Sequence, residues 1–137
     1  MTALVDRLSA IVGATHVSTD PEILAARSDD WTGRYRGAAR ALVRPGSAEQ
    51  VAAVLTLCRD SGVAVTVQGG RTSLVGGTVP ENNDVLLSTE RLTRIGDVDP
   101  VERQVRAEAG VTLAEVQRVA AAAGLLFSLS TAALAQD

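Results

Sequence analysis

The sequence predicts an α+β fold in which a small mixed β-sheet is flanked by helices. Three observations support this prediction: short runs of apolar and β-branched residues, helical segments that begin at serine or threonine caps, and one stretch in which polar and apolar residues alternate. Of the 137 residues, 46% are hydrophobic, which is enough for one domain with its own core.

Two helices and an ordered loop are predicted for the first forty residues. Apolar residues recur at helical spacing over residues 2–12. Asp20 is a predicted N-cap, and Pro21 occupies the first position of a second helix that ends near residue 27. Residues 28–40 combine charged residues with two glycines and show no period, which favours an ordered loop.

A β-α-β unit follows. The apolar run at residues 41–44 predicts a strand, and Pro45 with the next glycine predicts a turn. Ser47 and Gln50 form a capping box that begins a helix, and Gly62 is typical of a helix C-terminus. The helix face predicted to be buried comprises Val51, Val54, Leu55 and Cys58. The β-branched residues 63–67 predict the second strand.

The segment directly after this strand contains four of the twelve glycines, Gly69, Gly70, Gly76 and Gly77. Glycine lets backbone N–H groups approach a ligand closely and converge on an anion. Arg71 adds a positive charge, and Thr72 and Ser73 add hydroxyl donors. The segment therefore predicts a phosphate-binding loop at the carboxyl end of a strand, where ligands of open α/β sheets bind.

Two other phosphate-binding motifs can be tested against the glycine-rich segment and the residues around it. A P-loop is excluded because its motif requires a lysine and the chain has none. A Rossmann fingerprint should open a helix, but residues 78–83 are polar and contain Pro80. Without that fingerprint, the acidic Glu90 about twenty residues on carries little weight. On the residues alone, a surface turn between two strands that binds no ligand is about as well supported as a phosphate-binding loop.

The last third of the chain predicts a strand, a hairpin and a helix. The strand covers residues 84–88, and the hairpin arms cover 95–98 and 104–109, joined by a turn at Asp99-Pro100. Alternation predicts that Val105, Ala107 and Ala109 are buried while their neighbours are exposed. Thr112 and Glu115 form a second capping box, whose helix buries Val116, Val119, Ala120 and Ala123 and ends at Gly124.

Charge and composition exclude several classes of function. Thirteen arginines against sixteen acidic residues give a net charge of −3, so no basic surface for nucleic acid is expected. The longest apolar stretch is shorter than the roughly 20 residues of a membrane span, and charged residues interrupt the N-terminus, so a cytoplasmic location is expected. The lone cysteine, Cys58, is expected to be a small core residue, and His16 a solvated histidine.

A strand, a Pro-Gly-Ser turn, a capped helix, a second strand and the glycine-rich segment follow one another in this chain. This order resembles the first FAD subdomain of the vanillyl-alcohol oxidase and p-cresol methylhydroxylase superfamily, the PCMH-type fold. Within it the chain is most similar to the FAD-linked D-2-hydroxyacid dehydrogenases, the D-lactate, glycolate and D-2-hydroxyglutarate group. The segments that carry this resemblance are residues 30–35 (Asp-Trp-Thr-Gly-Arg-Tyr), 44–51 (Arg-Pro-Gly-Ser-Ala-Glu-Gln-Val) and 85–92 (Val-Leu-Leu-Ser-Thr-Glu-Arg-Leu). The resemblance covers about residues 3–127.

FAD is the cofactor that the resemblance implies. The glycine-rich loop would wrap the pyrophosphate with its backbone N–H groups and two hydroxyls, while Pro45 and Val67 would border the adenosine. Arg71 would help to neutralise the phosphates or would be a surface arginine without that role. The implied FAD-binding residues are Pro45, Val67, Gln68, Gly69, Gly70, Arg71, Thr72, Ser73, Leu74, Gly76, Gly77 and Thr78. No catalytic residue and no metal ligand is predicted, and residues 30–35 are expected to lock a loop rather than to contact the flavin.

The resemblance divides the chain into three parts: an N-terminal helical segment and ordered loop (1–40), the first FAD-binding subdomain (41–127) and a divergent C-terminal tail (128–137). After Phe127 the sequence departs from the family, whose members continue into a second FAD subdomain and a substrate domain. Both are expected to be missing. The lone chain is therefore expected to be inactive or to act only with a second polypeptide.

The implied function is the FAD-binding portion of a D-2-hydroxyacid dehydrogenase, whose full-length reaction transfers a hydride from the substrate α-carbon to the flavin. The alternative is a non-catalytic nucleotide-binding or interaction module that kept the fold. A different chemistry also stays open, since carbon monoxide dehydrogenase flavoprotein subunits and UDP-N-acetylenolpyruvoylglucosamine reductase have a related FAD subdomain.

Overall fold

The structure, a computed structural model, describes residues 2–30 and 32–129. Its helices are α1 (Thr2–Val12), α2 (Pro21–Ser28), α3 (Ala48–Asp60) and α4 (Leu113–Ala122), with a short 3-10 helix at Ala14–His16. Its strands are β1 (Val17–Ser18), β2 (Ala39–Val43), β3 (Val65–Gln68) and β4 (Asp84–Ser88). The predicted α+β class with a small mixed sheet flanked by helices is confirmed.

The four strands form one sheet in the order β1-β2-β4-β3. β1 runs antiparallel to β2, whereas β2 and β3 both run parallel to β4. Although β4 is the last of these strands in the chain, it lies between β2 and β3, and all five of its residues are buried. The predicted β-α-β unit is present as β2-α3-β3, with β4 inserted between its two strands.

Helices cover both faces of the sheet because side chains of successive strand residues point to opposite sides. One core joins α1 and α3 to the sheet and contains Leu8, Val12, Val43, Val54, Leu57, Cys58, Val85 and Leu87. The other joins α2 to the opposite face and contains Leu24, Leu42 and Leu86. Cys58 is buried as predicted, and this burial raises the pKa of its thiol.

Side-chain caps begin three of the helices at the predicted residues, which are Asp20 for α2, Ser47 for α3 and Thr112 for α4. Each accepts a hydrogen bond from a backbone N–H of the first turn, which satisfies a donor that the helix leaves unpaired. The second half of each capping box is different from the prediction. Gln50 accepts from the N–H of Gly46 at 2.7 Å, and Glu115 pairs with Arg118.

Three predictions of buried faces are wrong in part. In α4, Ala123 is exposed, because it lies at the C-cap beyond the last helical turn, while Ala120 is buried. Leu55 is 43% exposed, because the side of α3 that faces the sheet runs through Val54, Leu57 and Cys58. The predicted hairpin pairs only at isolated bridges, Ile95 with Ala107 and Asp99 with Gln104. These arms are not part of the four-stranded sheet, so their alternation lacks a covered face: Ala107 and Ala109 are exposed, and Val105 is half-buried.

The N-terminal segment shares the core of the sheet. Leu8 and Val12 of α1 pack with α3 and with strands β2 and β4, and β1 pairs with β2. The division at residue 40 stays a prediction. Across residues 2–30 and 32–129, no helix combines the length and the apolar character that crossing a bilayer requires.

Candidate cofactor-binding site

The carboxyl ends of three strands meet at one edge of the sheet, because β2, β4 and β3 are parallel to one another. Arg44 and Pro45 follow β2, Thr89 and Glu90 follow β4, and the glycine-rich loop follows β3. Ligands of open α/β sheets bind at this kind of edge. The sequence-predicted residues are therefore brought together, although Pro45 lies more than twenty positions before the loop.

The glycine-rich loop leaves a row of backbone donors available. From Gly69 to Leu74, no N–H group donates a hydrogen bond to an acceptor within the part of the chain that the structure describes. Arg71 has a φ of 56° and Gly76 a φ of 71°, so the chain turns through the left-handed region twice. Successive N–H groups around such turns form concave anion-binding sites.

Three of the loop glycines have space around them that their own fold does not use. A Cβ atom would come no closer than 3.7 Å to another atom at Gly69, 3.9 Å at Gly70 and 3.8 Å at Gly77. None of the three has a positive φ. The fold itself would therefore tolerate alanine at these positions. We call the open space beside Gly69, Gly70 and Gly77, which a Cβ atom would occupy, the cradle.

Gln68 closes the loop from inside the protein. Its side chain is 1% exposed, and its Nε2 donates to the carbonyl oxygens of Arg27 at 2.7 Å and Thr78 at 2.8 Å. Its Oε1 has no hydrogen-bond partner among the described residues. The side chain of Gln68 therefore holds the loop in place and offers no surface to a ligand.

Arg71 points toward α2, where its Nη1 donates to the carbonyl oxygen of Ala26 at 2.7 Å. Thr72 next to it is exposed, and the Ser73 hydroxyl accepts from the N–H of Val75 at 3.3 Å. Leu74 is 55% exposed. Among the described residues, neither predicted hydroxyl donor has an acceptor: Ser73 only accepts, and Thr72 is exposed.

The two residues predicted to border adenosine differ in exposure. Val67 is 51% exposed at the end of β3, which leaves an apolar surface beside the loop. Pro45 is less than 2% exposed, so its ring packs within the protein and offers almost no surface to a bound molecule. Pro45 shapes the turn that leads into α3.

Asp30 locks the loop at residues 30–35. Its carboxylate accepts from the Thr32 hydroxyl at 2.6 Å and from the N–H of Tyr35 at 3.0 Å. Burial would raise the pKa of Asp30, but these hydrogen bonds outweigh it and hold the pKa below its usual value. The ring of Tyr35 then lies against Gly76, which links this loop to the glycine-rich loop. Trp31, part of the same predicted segment, lies outside the described residues.

A cluster of charged side chains borders the same edge of the sheet. Glu90 accepts from Arg27 at 2.8 Å and from Arg44 at 3.4 Å. Burial acts to raise the pKa of Glu90, but the hydrogen bond from Arg27 and its positive charge have the opposite effect. The pKa of Glu90 is therefore lower than usual. No local sequence pattern predicts this cluster, because Arg27 and Glu90 are 63 positions apart.

His16 lies near Arg44 and Arg91. It is half-buried rather than fully solvated as predicted. Partial burial lowers its pKa, and the positive charges of Arg91 and Arg44 lower the pKa further. Both effects favour the neutral imidazole.

Residues 39–136, more than two thirds of the chain, match the family described as the FAD binding domain. The chain belongs to the FAD-binding domain family. The expected resemblance to PCMH-type flavoproteins is confirmed, and so is the assignment to a family whose fold binds FAD.

Named relatives of this FAD-binding domain include dehydrogenases. The D-2-hydroxyglutarate dehydrogenase of Xanthomonas citri pv. viticola is 37% identical over 126 residues, which is 92% of this chain and 27% of that protein. The D-2-hydroxyglutarate–pyruvate transhydrogenase of Saccharomyces cerevisiae is 35% identical over 101 residues, 74% of this chain and 20% of that protein. The chain thus spans between a fifth and about a quarter of the length of these relatives.

Solved structures share the fold of this FAD-binding domain. A 4-ethylphenol oxidase from Gulosibacter chungangensis superposes with a TM-score of 0.79 at 23% identity, over 90% of this chain and 24% of that one. p-Cresol methylhydroxylase superposes with a TM-score of 0.77 at 20% identity, over 97% of this chain and 27% of that one. At such identities the likeness shows the fold alone.

Proposed function

We propose that this chain is the FAD-binding portion of a flavin-dependent D-2-hydroxyacid dehydrogenase, and that its glycine-rich loop binds the FAD pyrophosphate. FAD supplies the electron acceptor in such enzymes, taking a hydride from the α-carbon of a 2-hydroxy acid. The substrate class is supported by the relatives named as D-2-hydroxyglutarate dehydrogenases.

The cradle at Gly69, Gly70 and Gly77 is the observation that carries this proposal. Free N–H groups beside these positions match a pyrophosphate, which offers several acceptor oxygens and negative charge. The fold itself does not require glycine at these three positions. The close approach of a ligand to the protein backbone would explain why glycine occurs there.

Other residues have complementary roles in the proposed site. Val67 provides an exposed apolar surface for the adenosine, and Thr72 adds a hydroxyl donor to the phosphates. Pro45 is proposed to shape the edge of the sheet without direct contact, since its ring is buried. Arg71 is proposed to hold the loop through Ala26 while its charge favours a nearby anion.

The proposed reaction needs more than this FAD-binding portion. Residues 41–127 are proposed to bind the adenosine and pyrophosphate, and the remaining flavin and substrate contacts come from parts that the longer relatives have, on this polypeptide or on another one. A cytoplasmic location stays a prediction, because several relatives are named as mitochondrial.

Calorimetric titration of the purified chain with FAD and with ADP tests the proposal. ADP carries the pyrophosphate without the flavin, so it reports on the contacts that this chain supplies. We expect both ligands to bind, and Gly70→Ala to weaken both about tenfold or more, because the new Cβ occupies the cradle.

Gly96→Ala is the matched control. It introduces the same methyl at a glycine without positive φ, where the nearest atom would be 3.6 Å away, and it lies outside the loop. Both variants should fold with unchanged melting temperatures. Failure of the wild-type chain to bind either ligand would overturn the proposal, and binding of some other phosphate ligand in preference to FAD would favour the non-catalytic nucleotide-binding module.

A further inference from the structure

We propose that Gln68 and Arg71 are positioning residues that fasten the glycine-rich loop to the last turn of α2. In this arrangement α2 sets the affinity of the loop for a phosphate ligand without touching it. The effect on ligand affinity rests on the proposed function, whereas the clamp itself does not.

The last turn of α2 has carbonyl groups that the helix cannot satisfy by itself. Two of them accept from side chains of the loop region: Ala26 from Arg71 Nη1 and Arg27 from Gln68 Nε2, each at 2.7 Å. Successive carbonyls of one helix end are therefore occupied by two residues that border the same loop. The end of α2 and the start of the loop become one connected unit.

Gln68 extends this connection to the far side of the loop. Its Nε2 carries two hydrogens, and the second is donated to the carbonyl of Thr78, ten positions later. One buried amide therefore joins the helix, the beginning of the loop and its end. Because the side chain is only 1% exposed, water cannot easily replace these hydrogen bonds once they are lost.

The first half of the loop between these anchors has little support of its own. Its N–H groups from Gly69 to Leu74 make no hydrogen bond to the described protein, and Val75 and Leu74 are exposed. The conformation that gathers these donors thus depends on the clamp. Loss of the clamp should lower the populated fraction of the binding-competent loop, and the apparent affinity falls by the same fraction.

Limited digestion with thermolysin tests the clamp without any ligand. Thermolysin cleaves before exposed large apolar residues, and Leu74 is 55% exposed within the loop while Leu126 is 89% exposed outside it. We expect Gln68→Met and Arg71→Met each to raise cleavage at Leu74 relative to Leu126, about tenfold for Gln68→Met, which loses two hydrogen bonds. Arg7→Met, at an exposed arginine of α1, is the matched control and should leave the ratio unchanged.

Arg71→Lys provides the conservative variant, because lysine keeps a donor and the positive charge. It should restore much of the protection that Arg71→Met loses. An unchanged cleavage ratio in Arg71→Met overturns the proposal. If Gln68→Met does not fold by circular dichroism, Arg71→Met still decides, because its side chain is exposed.

Affinities for FAD and ADP separate the clamp from the function of the loop. Gln68→Met, whose side chain touches no ligand, should raise the dissociation constants of both ligands about tenfold. If the wild-type chain binds neither ligand, the proposed function fails and proteolysis still decides the clamp. If both ligands bind and neither affinity nor proteolysis changes, the clamp alone is wrong.

Discussion

The ring of Tyr35 packs directly on the backbone of Gly76, so that a Cβ atom at Gly76 would lie 2.7 Å from Cγ of Tyr35. Gly76 also has a φ of 71°, a conformation that residues with a side chain rarely adopt. The contact fixes the second half of the glycine-rich loop against the loop that Asp30 organises. Two segments more than forty positions apart are thus held together by one aromatic ring.

Gly76→Ala should lower the free energy of unfolding by about 3 kcal/mol. The left-handed backbone accounts for about 1–2 kcal/mol, and the clash with the ring accounts for the rest. Chemical denaturation monitored by circular dichroism measures this loss. Gly124→Ala is the matched control, because Gly124 also has a φ of 71° but has no atom within 4 Å of the added Cβ. Equal losses in the two variants would show that the ring contact contributes nothing.

Glu90→Gln should destabilise the protein at pH 7 by about 1 kcal/mol or less, since the side chain is 38% exposed and solvent screens its ion pairs. The pKa of Glu90 is lowered in the folded chain, so its contribution is complete above the ordinary pKa of a glutamate. The contribution disappears as the pH falls through the lower, folded value. The stability difference between wild type and variant should therefore shrink below about pH 4.5. A difference that grows on acidification would contradict this assignment.

Leu86→Ala should cost about 2–5 kcal/mol, because Leu86 is 0% exposed in the centre of β4 and its truncation leaves a cavity. The same substitution at Leu126, which is 89% exposed, should change stability by about 0.5 kcal/mol or less. Urea denaturation of both variants gives the comparison. Similar losses at the two leucines would argue against β4 as the centre of the core.

Gly110→Ala should destabilise the chain by about 2–3 kcal/mol, because the new Cβ would lie 2.0 Å from the carbonyl oxygen of Thr89 and the backbone must move. Gly110 donates its N–H to Leu92 at 2.8 Å, so this movement also strains a hydrogen bond. Thermal unfolding measures the effect, with Gly96→Ala again the control in the same region. A melting temperature equal to that of Gly96→Ala would disprove the close approach.

Local signals in the sequence predicted most of the helices. Asp20, Ser47 and Thr112 each act on an N–H group two or three positions later, so the information for these helix starts is contained in a few residues. The glycine-rich loop was predictable for the same reason, since its composition and the preceding strand lie next to each other.

Relationships across the sheet were not predictable from local pattern. β1 has only two residues and depends on pairing with β2, and the place of β4 between β2 and β3 is set by packing on both faces. The resemblance implies a cofactor-binding role for Gln68, but its burial and its hydrogen bonds to the carbonyls of Arg27 and Thr78 depend on residues that are distant in the sequence. The wrong prediction of buried alanines in the hairpin has the same origin, because alternation does not say which face another layer covers.

The central position of β4 also has a consequence for the nascent chain. On the ribosome, β2, α3 and β3 emerge before β4, and β2 and β3 cannot pair with each other in the final arrangement because β4 must lie between them. Both strands therefore keep an unpaired edge until the glycine-rich segment and β4 after it have left the exit tunnel. Pairing of β4 with both strands then completes the four-stranded sheet, and the glycine-rich loop becomes the connection that leads from one edge strand back to the centre.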